Sequence, residues 1–187
     1  FWSSQLQRYP TLKQLLGEAV LVDPCSGTGP RLGWIPKITK SWNAAAGANW
    51  AMLPTTAGIV DPMHSTGIAH ALSGVSRLLD VLSSMRPEGV SEDALQAYSE
   101  SVIDEILWVD LLVTLSHRAM RVSMDVFVAA SSFYFVAAVH CERALAENGN
   151  ASPAMPSGFL LARSTKLRHI AQQALERLEA LLESPSK

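Results

Sequence analysis

The segment Ala57-Gly58-Ile59-Val60-Asp61-Pro62-Met63-His64-Ser65-Thr66-Gly67-Ile68 sets the reading of this chain. An apolar run, Trp50-Ala51-Met52-Leu53-Pro54, leads into it and reads as a buried strand. Ala69 to Leu82 follows with apolar residues at helical spacing. The order is strand, tight turn, small polar residues, helix N-terminus. A helix N-terminus leaves its first N–H groups without intrahelical acceptors and carries the positive end of the helix dipole. That combination suits an anion or the electron-rich edge of a ring. Pro62 presets the turn, Ser65 or Thr66 reads as the N-cap, and Gly67 lets a planar ligand approach the backbone with no Cβ in the way.

Downstream of residue 67 the pattern is helical almost throughout. Ile68, Leu72, Val75, Leu78, Leu79 and Leu82 form one apolar face. Arg86-Pro87-Glu88-Gly89 stops that helix, and Ser91 caps the next, with Glu92 and Asp93 in its first turn. The spacing predicts helices over about 91–120, 123–147 and 165–183. The first two should form an antiparallel hairpin, because the short connection leaves no room for a parallel return. Their shared face should include Leu95, Val102, Ile106, Val113, Phe127, Phe133 and Val136. The 123–147 segment is apolar nearly all round from Val126 to Val139. A run of about 14 residues is too short for a ~30 Å bilayer, so a buried core helix is expected. Upstream, residues 3–19 read as a helix interrupted by Pro10, with Leu12, Leu15, Leu16 and Ala19 on one face. Residues 21–49 read as loop and short strands, 31–36 being the best strand candidate.

Hydrophobic residues make up 48% of the 187 residues and charged residues only 17%, against a usual ~25%. Such a chain is expected to bury surface against something else, either more of its own protein or another copy through its apolar helices. A net charge of −2 with no basic block argues against nucleic acid. Cys25 and Cys141 lie in unlike contexts, and Cys141 reads as a small core residue. A cytoplasmic protein with no membrane association is the expectation.

Residues 50–82 resemble the second flavin-contact segment of FAD-dependent monooxygenases, and most closely the tryptophan-halogenase-like branch. That branch reads Gly-Asp-Ala-Ala-Gly-Phe-x-Asp-Pro-x-x-Ser-x-Gly-Ile/Val before a long helix. The resemblance implies FAD as cofactor and a small-molecule substrate, with Thr55, Asp61, Pro62, Ser65, Thr66, Gly67 and Ile68 along the flavin. It also implies a halide or substrate site in the vicinity of Thr66, Gly67 and His64. Pro54-Thr55 replaces the family's Gly-Asp, so the ribityl chain meets a hydroxyl in place of a carboxylate. The opening Gly-x-Gly-x-x-Gly of a dinucleotide fold does not occur here; Ser26-Gly27-Thr28-Gly29-Pro30 is spaced wrongly. Trp34-Ile35-Pro36 likewise lacks the rest of the halogenase tryptophan signature.

The expected fold class is therefore mainly α. It comprises the last strand–turn–helix segment of an FAD-binding, Rossmann-like fold (residues 1–85) and a C-terminal bundle of about three long helices (86–187). The expected function is the C-terminal portion of a flavin-dependent oxidoreductase whose missing N-terminal FAD-binding portion is its partner. On its own this portion should not bind FAD and should be inactive. Two alternatives stand beside it: a degenerate homologue that has lost FAD, and an independent helical protein-interaction module. No catalytic residue is assigned. His64 and His70 lack helix-face ligand spacing, and the carboxylates Glu105, Asp110 and Glu142 lack the Glu-x-x-His pairs of a di-metal bundle, so no metal is expected. Asp104, Asp110 or Glu142 is expected to pair with Arg118, Arg121 or Arg143.

Overall fold

A computed structural model describes residues 2–19, 39–84, 89–148 and 157–183. The strand expected at 31–36 and the glycine run at 26–30 lie outside them. The chain divides into two compact units, Phe1–Pro36 and Lys37–Lys187. In the first, α1 (Trp2–Arg8) and α2 (Pro10–Leu16) are separated at Tyr9, which is extended. A residue before proline is pushed out of the helical region, so the break expected at Pro10 falls one residue earlier. The expected apolar face of α2 is not buried: Leu15 and Leu16 are exposed.

The second unit is mainly helical. Its strands are two-residue pieces in antiparallel pairs. β1 (Lys40–Ser41) pairs with β4 (Gly58–Ile59), and β2 (Ala46–Gly47) pairs with β3 (Trp50–Ala51). The strand expected over 50–54 stops after Ala51, because Pro54 cannot donate to a ladder. It opens a one-turn helix instead, α3 (Pro54–Ala57), at the position where a missing N–H costs nothing. Trp50 is exposed rather than buried, since so short a ribbon covers little of its indole.

Four long helices follow the expected bounds closely: α4 (Gly67–Ser83), α5 (Glu92–Met120), α6 (Met124–Asn148) and α7 (Thr165–Glu183). The Ser91 hydroxyl accepts from Ala94 N, capping α5 as its sequence implies. α5 is the axis of the unit. Its N-terminal half, through Leu95, Tyr98, Val102 and Ile106, packs on Ala45, Ala46 and Ala57. Its C-terminal half, through Trp108, Leu112 and Val113, packs on α6, on α7 and on the 3₁₀ turn Phe159–Leu161. Side chains pin these layers: Tyr98 donates to Met52 O, Ser99 accepts from Ala45 N, and Trp108 Nε1 donates to Leu160 O.

Three residues, 121–123, join α5 to α6, which forces the antiparallel return. The shared face differs from expectation. Val113, Phe127 and Phe133 belong to it, but Leu95, Val102 and Ile106 face the ribbon, and Val136 is exposed. α6 buries only a stripe of small residues, Ala130, Ser131, Ala137 and Cys141, because small side chains let it lie close to its neighbours. Met124, Val128, Phe135, Val136 and Val139 are left exposed, so α6 is not the wholly buried core helix its composition suggested. The helical span Met124–Ala144 is long and apolar enough to cross a membrane by length and composition, with 22% of the tested window buried.

Candidate functional site

The 61–68 loop is built by local rules. Asp61 Oδ1 accepts from Met63 N, and Pro62 opens the 3₁₀ turn Pro62–His64. Ser65 takes a left-handed conformation, φ 54°, with its N–H on Pro62 O. Thr66 holds the N-cap position of α4, yet neither its hydroxyl nor that of Ser65 makes the expected cap bond. Its backbone is already helical there, an arrangement that differs from the extended geometry in which a cap side chain reaches N2 or N3. The N–H groups of Gly67 and Ile68 have no acceptor among the described residues. A Cβ added at Gly67 would meet only Thr55 Cγ2, at 3.8 Å, so the approach to this backbone is open. Thr55, Pro62, Ser65, Gly67 and Ile68 are all exposed, Ile68 to 79%. The expected flavin-side residues are therefore brought together at one helix end.

The loop is fixed from below at two points. Gly74 of α4 lies so close to Pro54 that an added Cβ would stand 2.2 Å from its Cδ, which sets α3 against α4. His64 stacks on Tyr134 of α6 with centroids 4.3 Å apart and planes 13° from parallel, and Tyr134 donates its hydroxyl to His64 O. His64 Nε2 lies 3.1 Å from Ser116 Oγ. Ser116 is buried, and its hydroxyl also lies within hydrogen-bond reach of Leu112 O. The Ser116–His64 contact ties the 3₁₀ turn to α5. Burial lowers the His64 pKa, His117 lowers it further, and Asp61 opposes them. His117 Nε2 stands 3.5 Å from Asp61 Oδ2.

Behind the loop lies a charged cluster that the sequence reading did not single out. Glu105 of α5, 1% exposed, accepts from both terminal nitrogens of Arg77, from His70 Nε2 and from Phe159 N. Burial alone would raise its pKa, but the His70 bond, the Arg77 charge and the Phe159 N–H outweigh it and hold the carboxyl below its ordinary value. His70 also stacks on Phe159, centroids 4.6 Å apart. The signal was present: His70, Gly74 and Arg77 are spaced four and three apart, which is one helix face. The expected ion pairs are replaced by others. Asp104 pairs with Arg168 at 2.6 Å and Arg118 with Glu179 at 3.8 Å, because α7 packs along α5.

Two cavities flank the start of α4. One, of about 180 Å³, is lined by Thr55, Gly58, Ile59, Thr66, Gly67 and His70, with Ile106 and Val109 of α5 behind them. The other, of about 350 Å³, is an apolar cleft between α4 and α6 bordered by Leu72, Tyr134, Cys141 and Phe159. Burial raises the Cys141 pKa, so its thiol stays protonated. No cluster of three metal-ligating side chains occurs among the described residues. No family model, no curated protein and no solved structure matches this chain.

Proposed function

We propose that this chain supplies the isoalloxazine-side loop and a helical cap over the substrate region of an FAD-dependent oxidoreductase, halogenase-like or monooxygenase-like. The observation that carries the reading is the open helix end at residues 66–68, where two N–H groups lack acceptors and only glycine stands in the approach. Asp61 and Pro62 hold the turn that presents it. A second observation agrees with a larger protein. On α4, Ile68, Leu72, Val75, Leu79 and Leu82 form an exposed apolar face, which suits contact with a pyrophosphate-binding portion outside these residues.

The residues fit the ring of the cofactor better than its tail. The free N–H groups and the helix dipole stabilise negative charge at a ring edge through fixed partial charges. Thr55 offers the ribityl chain only a hydroxyl. When bound, the flavin supplies the electron transfer and oxygen chemistry. His64, held neutral and stacked on Tyr134, keeps the loop rigid beside it.

Lumiflavin, the ring system without ribityl chain or pyrophosphate, tests the reading on the chain as it stands. Titration followed by amide chemical shifts should move Thr66, Gly67 and Ile68, and Gly67→Val should abolish those shifts while circular dichroism stays helical. Shifts confined to other residues, or shifts that survive Gly67→Val, would mean that the loop is a structural turn.

A further inference from the structure

The apolar cleft between α4 and α6 exists because the residues that border it on α4 and α6 are mostly small. Ala69, Ser73 and Ser76 stand three and four apart on one face of α4, and Ala138 borders the cleft from α6. The helices therefore part there without side chains to fill the gap. The two rings in the wall are held in place by histidines. Tyr134 stacks on His64 and gives its hydroxyl to His64 O, and Phe159 stacks on His70 with centroids 4.6 Å apart. With the Tyr134 hydroxyl committed elsewhere, both rings offer the cleft mainly carbon. The cleft is thus formed in advance of any ligand.

Its size and its charge decide what fits. The volume of about 350 Å³ lies in the range of small-molecule pockets. At ~30 Å³ per water it equals roughly a dozen waters, the room needed by about a dozen non-hydrogen atoms. Water held between apolar walls is readily given up to an apolar body. Behind the wall, Arg77 and Glu105 neutralise one another. Among the described residues that border the cleft, the one ionised side chain is Glu142, which is exposed and makes no ion pair with another described residue. A lone carboxylate at the mouth repels an anion and attracts a cation. From this arrangement we infer that the cleft binds an apolar primary amine. The carbon skeleton lies against Tyr134, Ala138 and Phe159, and the ammonium stays at the mouth beside Glu142. Because the charge remains in water, the site avoids the cost of burying an ion. No covalent bond changes.

The cleft is separate from the open helix end at residues 66–68, and the inference does not depend on flavin. Its test uses three probes with one common tail: phenylbutylamine, phenylbutanol and phenylbutyrate. Each is titrated into the chain, with amide shifts of residues 69–76 and 134–142 as readout. The amine should saturate those shifts with a Kd at or below about 1 mM. The alcohol should bind about threefold more weakly, the gain from one exposed charge pair, and the carboxylate more weakly still. Salt should narrow those differences. Glu142→Gln should bring the amine down to the level of the alcohol. Ala69→Phe, at an exposed position of α4, should fill the cleft and abolish binding of all three while circular dichroism stays helical. Shifts lying elsewhere, no saturation by the amine, or binding that survives Ala69→Phe would overturn the site. Equal affinity for the three probes, or an amine advantage that Glu142→Gln leaves intact, would overturn the assignment of an amine.

Discussion

Arg77 and Glu105 meet as a two-pronged ion pair, with Arg77 nitrogens 2.8 and 2.6 Å from the two carboxylate oxygens. The pair joins α4 to α5 where the side chains are 19% and 2% exposed. Glu105 also holds His70 of α4 and the Phe159 N–H of the 3₁₀ turn, so one carboxylate ties two elements to α5. A buried carboxylate is tolerated only when its charge and lone pairs are all met, and here they are.

Arg77→Leu should therefore destabilise the fold by about 3–5 kcal/mol, because it leaves Glu105 buried with its charge uncompensated. Arg77→Lys should recover only part, since an ammonium cannot reproduce the fork. The folded pKa of Glu105 is depressed, so the unfolded state binds more protons as acid is added. Stability from this group is complete above the unfolded carboxyl value of about 4.3 and is lost as pH falls through the folded value. Denaturant melts from neutral pH to about pH 3 should show that loss in the wild type, and Glu105→Gln should flatten it. An Arg77→Leu variant as stable as the wild type would remove the cluster from the account.

His64 gives a second acid-sensitive window with a different origin. Burial and then His117 lower its pKa, so the folded state resists protonation relative to the unfolded chain. Stability is full above the unfolded value of about 6.5 and declines as pH falls from there toward the depressed folded value. Below that value the decline stops. His64→Phe keeps a ring on Tyr134 but cannot titrate, so it should remove this slope while losing the Ser116 bond. Thermal melts across pH 5–7.5 read the slope directly. The same slope in His64→Phe would assign it to another group.

The long helices were legible because periodicity and end signals agreed. Ser91 with Glu92 and Asp93 marks the start of α5, and α7 occupies 165–183 as its apolar spacing implies. The turn before α4 was legible from Asp61-Pro62, whose backbone requirements are local, whereas the backbone of Gly67 demands no glycine. What escaped depends on partners distant in sequence. Asp104 chooses Arg168 across 64 residues, and nothing near either residue announces that pairing. The α6 pattern is apolar all round, so its spacing could not say which face would be covered; the small residues Ala130, Ala137 and Cys141 decided it. Trp50 read as buried because its neighbours are apolar, but burial requires a covering layer that two-residue strands do not provide.

Gly74→Ala tests how firmly the loop is positioned. In an exposed helix interior this change would stabilise by up to ~1 kcal/mol. At Gly74 the new Cβ would stand 2.2 Å from Pro54 Cδ and 2.5 Å from its Cγ, against a ring with little freedom to move. Overpacking of this kind costs about 1–3 kcal/mol. The net expectation is a lower melting temperature, by several degrees. The Thr55–Gly67 approach should also widen, seen as amide shift changes at residues 55 and 67. A stabilised Gly74→Ala protein would show that α3 and α4 are not held together at this point.

Ser65 separates a capping role from a backbone one. As a side-chain N-cap it would lose about 1 kcal/mol on change to alanine. The structure places it outside the helix at φ 54° with no cap bond, so Ser65→Ala should change stability by only a few tenths of a kcal/mol. Ser65→Gly relieves the left-handed conformation, worth about 1 kcal/mol, but adds freedom to the unfolded chain of roughly 0.5–1 kcal/mol. That variant should come out near neutral. Ser65→Val puts a β-branched residue where φ is positive, and should cost more than 1 kcal/mol. Chemical denaturation of the three variants gives the order Gly and Ala near wild type, Val well below. If alanine instead falls by the full capping value while valine does not fall further, the hydroxyl is the cap and the left-handed turn before α4 is not the feature that shapes this loop.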